Sequence, residues 1–348
     1  MTTTGAEVLS SVFSLLLSLA IVVQTVEEGR TFRCGSKTRI AGNVAIVLPI
    51  KGLDPGLEST LSSLESQDYD EKEIYVVVDS PEDPAVEVVS RHNVKVILNE
   101  WPCKSCSGKV AAILTALRKV QADYYVFADS DTVYPRGWLR CMLSLVEPKR
   151  SVSTTFSWPS PVRPTIRNWV RAGFWTLGFE SIFSPSHRFL WGGSMAFSRE
   201  FFDDSTLKAL ESAWCDDCTL GSIAKSKGYR IEIAGTIPLN VFDERSLLQF
   251  LRRQTFTVYL YSRKGLTTFV IVWLSILISL VTVVFNPLGF LPLLLWIVKN
   301  VIRGMRAEGS VLPALFSPLS STLVLFLLPW FIRTKEVVWR GARISVRK

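Results

Sequence analysis

A chain of 348 residues that is 48% hydrophobic, with a mean hydropathy of +0.27, has more apolar side chain than an ordinary soluble protein buries, so a purely soluble globular reading is excluded. The net charge of +8 suggests nucleic-acid binding, but the surplus sits beside uncharged spans: Arg252, Arg253, Arg263, Lys264, Lys299, Arg303, Arg306, then Arg333, Lys335, Arg340, Arg343, Arg347 and Lys348. Juxtamembrane cations of this kind follow the positive-inside rule and meet anionic headgroups, which sets nucleic acid aside as a partner.

In chain order, residues 8–26 carry no charge and are about long enough to span a bilayer. Glu7 stands where a signal peptide would have Lys or Arg, and no small-x-small cleavage site precedes Glu27-Glu28-Gly29-Arg30, so residues 1–27 read as an uncleaved anchor. Residues 43–49 form an apolar run stopped at Pro49 and the turn Lys51-Gly52-Leu53-Asp54-Pro55-Gly56. Residues 57–66 then space Leu57, Leu61 and Leu64 at helical intervals. Further strands are expected at 73–79, 94–98 and 123–128, with a helix at 108–120. Continuous apolar strands alternating with amphipathic helices give an α/β domain over residues 40–245, with a mostly parallel sheet covered by helices.

Residues 246–264 read as a basic, amphipathic interfacial helix, and residues 265–334 as membrane helices. The latter comprise an uncharged stretch at 267–285, a break at Asn286-Pro287-Leu288-Gly289, and further apolar runs at 290–298 and 311–332. The spans have no ionisable residue at their centres, which disfavours a transporter. Residues 335–348 are a basic tail. Positive-inside places the middle domain and the tail in the cytoplasm. Three full C-terminal crossings would put that tail outside, so the piece at 287–298 is a candidate re-entrant or interfacial segment.

Chemistry concentrates at strand ends. Tyr124-Tyr125-Val126-Phe127-Ala128 runs into Asp129-Ser130-Asp131, and side-chain alternation puts both carboxylates on one side where the strand gives way to a loop. Such a pair suits a divalent cation and a phosphorylated ligand, because the carboxyl edge of an open α/β sheet is its ligand crevice. The plain alternative is an Asp-rich turn. Asp79 ends a second strand at that edge, as a nucleobase or ribose acceptor or else as a helix N-cap. Lys109, in Ser107-Gly108-Lys109, opens a helix and offers an anion site, though not a P-loop. Asp216-Asp217 begins another helix, favoured there by the macrodipole alone or as a general base. Trp191-Gly192-Gly193-Ser194 opens a strand with two glycines, marking either close approach of a ligand or a bend. Cys103-x-x-Cys106 and Cys215-x-x-Cys218 have zinc-like spacing within each pair, but the pairs lie far apart; zinc or disulfides are the alternatives, and unlinked thiols are expected in a cytoplasmic domain. His92 and His187, the two histidines, are too few for a histidine-based metal site.

Taken in order, these elements resemble the membrane-bound, inverting family 2 glycosyltransferases, near the ceramide glucosyltransferase-like branch. They are Val-Leu-Pro49 with Lys51-Gly52, Asp79-Ser80, Ser-Gly-Lys109, Asp129-Ser-Asp131, Trp-Gly-Gly-Ser, Asp216-Asp217-x-x-Leu220-Gly221 and the late Val338-Trp339-Arg340-Gly341. The resemblance implies a GT-A-like fold with transmembrane helices and a nucleotide-diphosphate sugar donor, first of all a UDP-sugar. It also implies Mg²⁺ or Mn²⁺ on Asp129 and Asp131, and a membrane lipid as acceptor. By the same resemblance Pro49, Asp79 and Lys109 face the nucleotide and Asp217 is the base. The family's Gln-x-x-Arg-Trp element reads Gln249-Phe250-Leu251-Arg252-Arg253-Gln254 here, with Arg in place of Trp. Either Gln249 with Arg252, or Arg253 with Gln254, is then expected at the diphosphate. That departure weighs against a processive polysaccharide synthase. A nucleotidyltransferase and a non-enzymatic membrane scaffold are the remaining alternatives.

Overall fold

A computed structural model describes residues 3–35, 42–101, 105–333, 336–339 and 342–345. In chain order the elements begin with α1 (Thr3–Thr31), β1 (Val44–Ile50), α2 (Leu57–Glu65), β2 (Lys72–Val78), α3 (Ala85–Val89), β3 (Lys95–Leu98), α4 (Gly108–Lys119) and β4 (Tyr124–Ala128). There follow β5 (Thr132–Val133), α5 (Trp138–Ser144), β6 (Ser151–Thr154), β7 (Trp158–Pro161), α6 (Ile166–Trp175), α7 (Leu177–Ile182) and β8 (Ser194–Ser198). Next come α8 (Asp204–Leu210), α9 (Asp216–Ser226), β9 (Arg230–Ile233), β10 (Leu239–Phe242) and α10 (Leu247–Tyr261). The chain closes with α11 (Arg263–Val281), α12 (Leu291–Arg306), α13 (Leu312–Phe331), β11 (Glu336–Trp339) and β12 (Ala342–Ser345). They form two compact units: a sheet unit, Phe32–Val162 with Ile182–Asp243, and a helical unit, Met1–Thr31 with Arg163–Ser181 and Glu244–Lys348.

The sheet unit is built on seven strands in the order β3-β2-β1-β4-β8-β6-β9. Strands β1 to β4 pair in parallel; β8 runs antiparallel to β4 and β6, and β9 returns parallel to β6. The α/β class and mostly parallel sheet expected from the sequence are therefore what is observed, and the four strands expected from apolar runs are β1 to β4. Period-two alternation divides the core. Val44, Ile46, Leu48 and Ile50 face one side, against Leu57, Leu61 and Leu64 of α2 and Trp138 and Met142 of α5. Ala45, Val47, Tyr125 and Phe127 face the other, against Val110, Ile113 and Leu114 of α4 and Leu220 of α9. Both faces are covered, as parallel strands require.

A second, three-stranded sheet (β5-β10-β7) braces the loop after β4: the Val241 N–H donates to the Asp131 carbonyl at 2.7 Å. Disulfides join Cys34 to Cys141 and Cys215 to Cys218, and Cys106 is disulfide-bonded as well. The expectation of unlinked thiols is thereby corrected, since the fold brings the sulfur atoms within bonding distance. Cys103 lies outside the described residues.

Four helical stretches of the other unit are long and apolar enough to cross a membrane: Gly5–Thr31, Arg263–Val284, Pro287–Arg306 and Leu312–Phe331. Helix α6 belongs to this unit although its sequence interrupts the sheet unit. It lies so close to α13 that a Cβ on Gly173 would come within 2.6 Å of the Phe316 backbone, and Ser320 Oγ donates to the Val170 carbonyl at 2.7 Å. Lys299 and Arg303, expected to meet headgroups, are instead buried. Arg303 binds Glu28 and Glu180, each at 2.6 Å, and Lys299 binds Glu180 at 2.6 Å. A buried cation is tolerated only with such partners, so both turn inward to the carboxylates instead of outward to lipid. The expected basic tail contains the β11–β12 hairpin; Lys335, Arg340, Arg347 and Lys348 lie outside the described residues.

Candidate active site

Parallel pairing brings the carboxyl ends of β1, β2 and β4 to one edge, and the antiparallel β8 begins at that same edge, with Ala128 opposite Ser194. Asp79 follows β2 directly; its carboxylate pairs with Lys51 Nζ at 3.0 Å and accepts from Asn99 Nδ2 at 2.9 Å. Burial opposes its ionisation, but the Asn99 and Lys51 contacts outweigh that and hold its pKa below the ordinary value. Pro49 lies in β1, level with Val77 of β2.

Asp129 and Asp131 follow β4. The Asp129 N–H donates to the Tyr134 hydroxyl at 2.9 Å, and that hydroxyl donates to the Gly193 carbonyl at 2.7 Å, so Tyr134 ties the β4 loop to the β8 turn. Between the two acids, Ser130 Oγ donates to Asp54 Oδ2 at 2.6 Å.

Lys109 lies in the first turn of α4, whose N-cap Ser107 accepts from the Val110 N–H. Its ammonium is part-buried, 2.7 Å from Asp129 Oδ1 and 2.9 Å from Asp216 Oδ2, and it donates to the Gly192 carbonyl at 3.2 Å. Burial alone would depress its pKa; the Asp129 and Asp216 carboxylates reverse that and keep it firmly protonated. Asp217 is held by two backbone donors, Gly192 N–H to Oδ2 at 2.9 Å and Cys218 N–H to Oδ1 at 2.7 Å. Cys215 Sγ, engaged in its disulfide, lies 3.0 Å from Oδ1. Burial first and the Asp216 carboxylate second raise the Asp217 pKa to about 7, against the pull of Lys109 and the two N–H donors. A carboxyl group titrating near neutrality can take and release a proton.

The sequence-derived residues Asp129, Lys109 and Asp217 are thus gathered around one ammonium. Gln249, Arg252, Arg253 and Gln254 lie on α10 of the helical unit, where Arg252 stands 5.9 Å over the Trp330 ring and Arg253 5.8 Å over Phe250. Lys51, Asp216 and Gly192 stand in motifs read from the sequence, but none was given a site role of its own there. The two glycines after Trp191 were the available signal for the last. Asp129 and Asp131 offer hard carboxylate oxygens of the kind that could hold a divalent cation, with the Lys109 ammonium against Asp129.

The fold is GT-A-like. The chain belongs to glycosyl transferase family 21, whose profile matches residues 10–348. Among solved structures it is similar to a mannosyltransferase from Pyrobaculum calidifontis, determined with GDP-Man and Mn²⁺, at 17% identity and a TM-score of 0.51, covering 93% of this chain and all of that one. It is also similar to glucosyl-3-phosphoglycerate synthase from Mycobacterium tuberculosis, determined with Mn²⁺, UDP and glucosyl-3-phosphoglycerate. That match has 18% identity and a TM-score of 0.40, covering 62% of this chain and 77% of that one. No curated protein matches the chain.

Proposed function

We propose that this glycosyltransferase moves a sugar from a nucleotide-diphosphate sugar, first of all a UDP-sugar, to the hydroxyl of a membrane lipid, inverting the anomeric carbon. The observation that carries the reading is the Lys109 ammonium, which links Asp129 on the donor side to the Asp216–Asp217 pair. Asp129 and Asp131 would hold Mg²⁺ or Mn²⁺; when bound, a hard dication offsets the charge developing on the departing diphosphate. Asp217, fixed by the Gly192 and Cys218 amides, takes the acceptor's proton. Asp79 receives the nucleotide's base or ribose, in the manner of strand-end acids. A diphosphate role for Gln249, Arg252, Arg253 and Gln254 belongs to the same proposal and is read as a raised donor KM in Arg252→Ala or Arg253→Ala.

The lipid acceptor is supported by the family and by the four apolar stretches in the same chain. In this proposal residues 1–27 anchor the chain, residues 246–264 lie in the interface, and one C-terminal piece, with α12 the candidate, does not cross fully. Basic residues flanking the apolar stretches support a cytoplasmic sheet unit. The Cys34–Cys141 and Cys215–Cys218 disulfides favour the opposite, oxidising side. Labelling of the reduced, full chain in sealed vesicles with an impermeant thiol reagent decides between the two sides.

The test of the activity is to incubate membranes carrying the full chain with a panel of labelled nucleotide sugars, with Mn²⁺ or EDTA, and to weigh the extracted lipids. A lipid heavier by one sugar, dependent on metal, is the expected product. Long labelled polymer without short glycolipid would sink the proposal in favour of a polysaccharide synthase. Full turnover by Asp217→Asn would favour a nucleotidyltransferase, which needs no base there.

A further inference from the structure

We propose that Gly192 is a positioning residue of this site: the side chain it lacks leaves the space in which the Lys109 ammonium bridges Asp129 to Asp216, while its amide orients Asp217. The inference rests on the reading of Asp217 as the base and extends it to a backbone position. The geometry is specific. A Cβ built on Gly192 would lie 2.8 Å from Lys109 Nζ, 3.0 Å from Asp216 Oδ2 and 3.2 Å from Asp217 Oδ2. All three neighbours are charged tips converging from α4 and α9. The peptide around this residue also serves both signs of charge: its carbonyl accepts from Lys109 and its N–H donates to Asp217.

The atom most crowded by an added methyl is the far end of a flexible side chain. The expected response to Gly192→Ala is therefore a displaced ammonium in an intact fold. Its neighbour differs. At Gly193 a Cβ would strike the Trp191 ring at 2.3 Å, so substitution there disturbs packing and not the charge cluster. Turn geometry alone does not explain Gly192, because what surrounds the missing Cβ is charge.

The groups facing Asp217 are Lys109 from α4, Asp216 and the Cys218 amide from α9, the Cys215–Cys218 disulfide, and the Gly192 amide. Moving the ammonium away removes the cationic influence among these and leaves Asp216. Asp217 then binds its proton more tightly, and the acidic limb of the rate profile moves to higher pH.

The experiment uses the full chain in its membrane with Mn²⁺ and UDP-glucose or GDP-mannose, following nucleoside diphosphate release from pH 5.5 to 9 in four forms: wild type, Gly192→Ala, Lys109→Met and the double variant. The expected result is an acidic limb of kcat raised by about one pH unit in Gly192→Ala, with donor KM changed less than kcat. In the Lys109→Met background the same glycine substitution has no further effect, since no ammonium remains to displace. A wild-type profile in Gly192→Ala, or an equal loss with and without Lys109, overturns the proposal and leaves the glycine a purely structural turn residue. Gly137→Ala, where a Cβ meets open space, controls for loss of a glycine as such. Asp217→Asn is run beside these forms. If it turns over normally, the base reading fails, while the Gly192–Lys109 cycle is still judged on its own non-additivity.

Discussion

Two clusters of charge, a buried one in the helical unit and a part-buried one in the sheet unit, are built from similar residues in different proportions. In the helical unit, Glu28 and Glu180 face Lys299 and Arg303, so two acids meet two bases at 2.6 Å. In the sheet unit, Asp129, Asp216 and Asp217 gather around the Lys109 ammonium, three acids to one base among these four groups. The balanced set is a clasp joining α1, α7 and α12. The unbalanced set raises the pKa of one carboxyl group to about 7 and, in the proposed function, takes a further cation. On the proposed reading, the surplus of one sign is what marks the sheet-unit cluster as the reactive one.

The sharpest way to break this contrast is Asp217→Asn, for which turnover should fall by roughly 10²–10⁴-fold while Mn²⁺-dependent donor binding, followed by calorimetry, persists. In the clasp, Arg303→Met strands the Glu28 carboxylate, while Glu180 keeps Lys299, and should cost about 3–5 kcal/mol in unfolding free energy, with turnover per folded molecule unchanged. A loss of turnover without a loss of stability would erase the distinction between the clusters. A smaller effect is expected at the α6–α13 contact. Gly173→Ala pushes a methyl onto the Phe316 backbone, which cannot step aside, and should cost about 1–3 kcal/mol in a thermal melt. The pH profile sharpens the comparison most finely. With Asp217 titrating near pH 7, the rate should fall tenfold per unit below that pH as this proposed base becomes protonated. Asp216→Asn removes the carboxylate that raises the Asp217 pKa, so its acidic limb should move to lower pH.

Much of this was legible in the chain because each element announced itself locally. Val44 to Ile50 and Tyr124 to Ala128 are apolar runs cut off at a turn or an acid, and they became adjacent parallel strands. Asp129, Lys109 and Asp217 each stand at an element's end, where alternation or a helix start fixes the side to which a group belongs. Gly192 was harder. Its partners are 83 residues away at Lys109 on α4 and 25 away at Asp217 on α9, and they meet through the packing of those helices beside the start of β8. No periodicity encodes such a meeting. Lys299 and Arg303 misled for a related reason: a cation near the end of an apolar run looks the same whether it faces headgroups or a distant Glu28. The cysteine pairing failed likewise, since Cys34 and Cys141 are 107 residues apart in sequence.

The chain passes from one unit to the other four times. During synthesis this becomes a matter of time. Helix α6 is complete long before α13 exists, and at about 5–20 residues per second the stretch from Gly173 to Phe316 takes roughly 7–30 s to emerge. For that interval the face of α6 that packs on α13 lacks that partner, although sheet strands on both sides of it in sequence are already being made. The nascent chain must therefore hold one unit open while it closes the other. Slowing translation between these two helices should lower the yield of folded protein before any residue of the catalytic edge is touched.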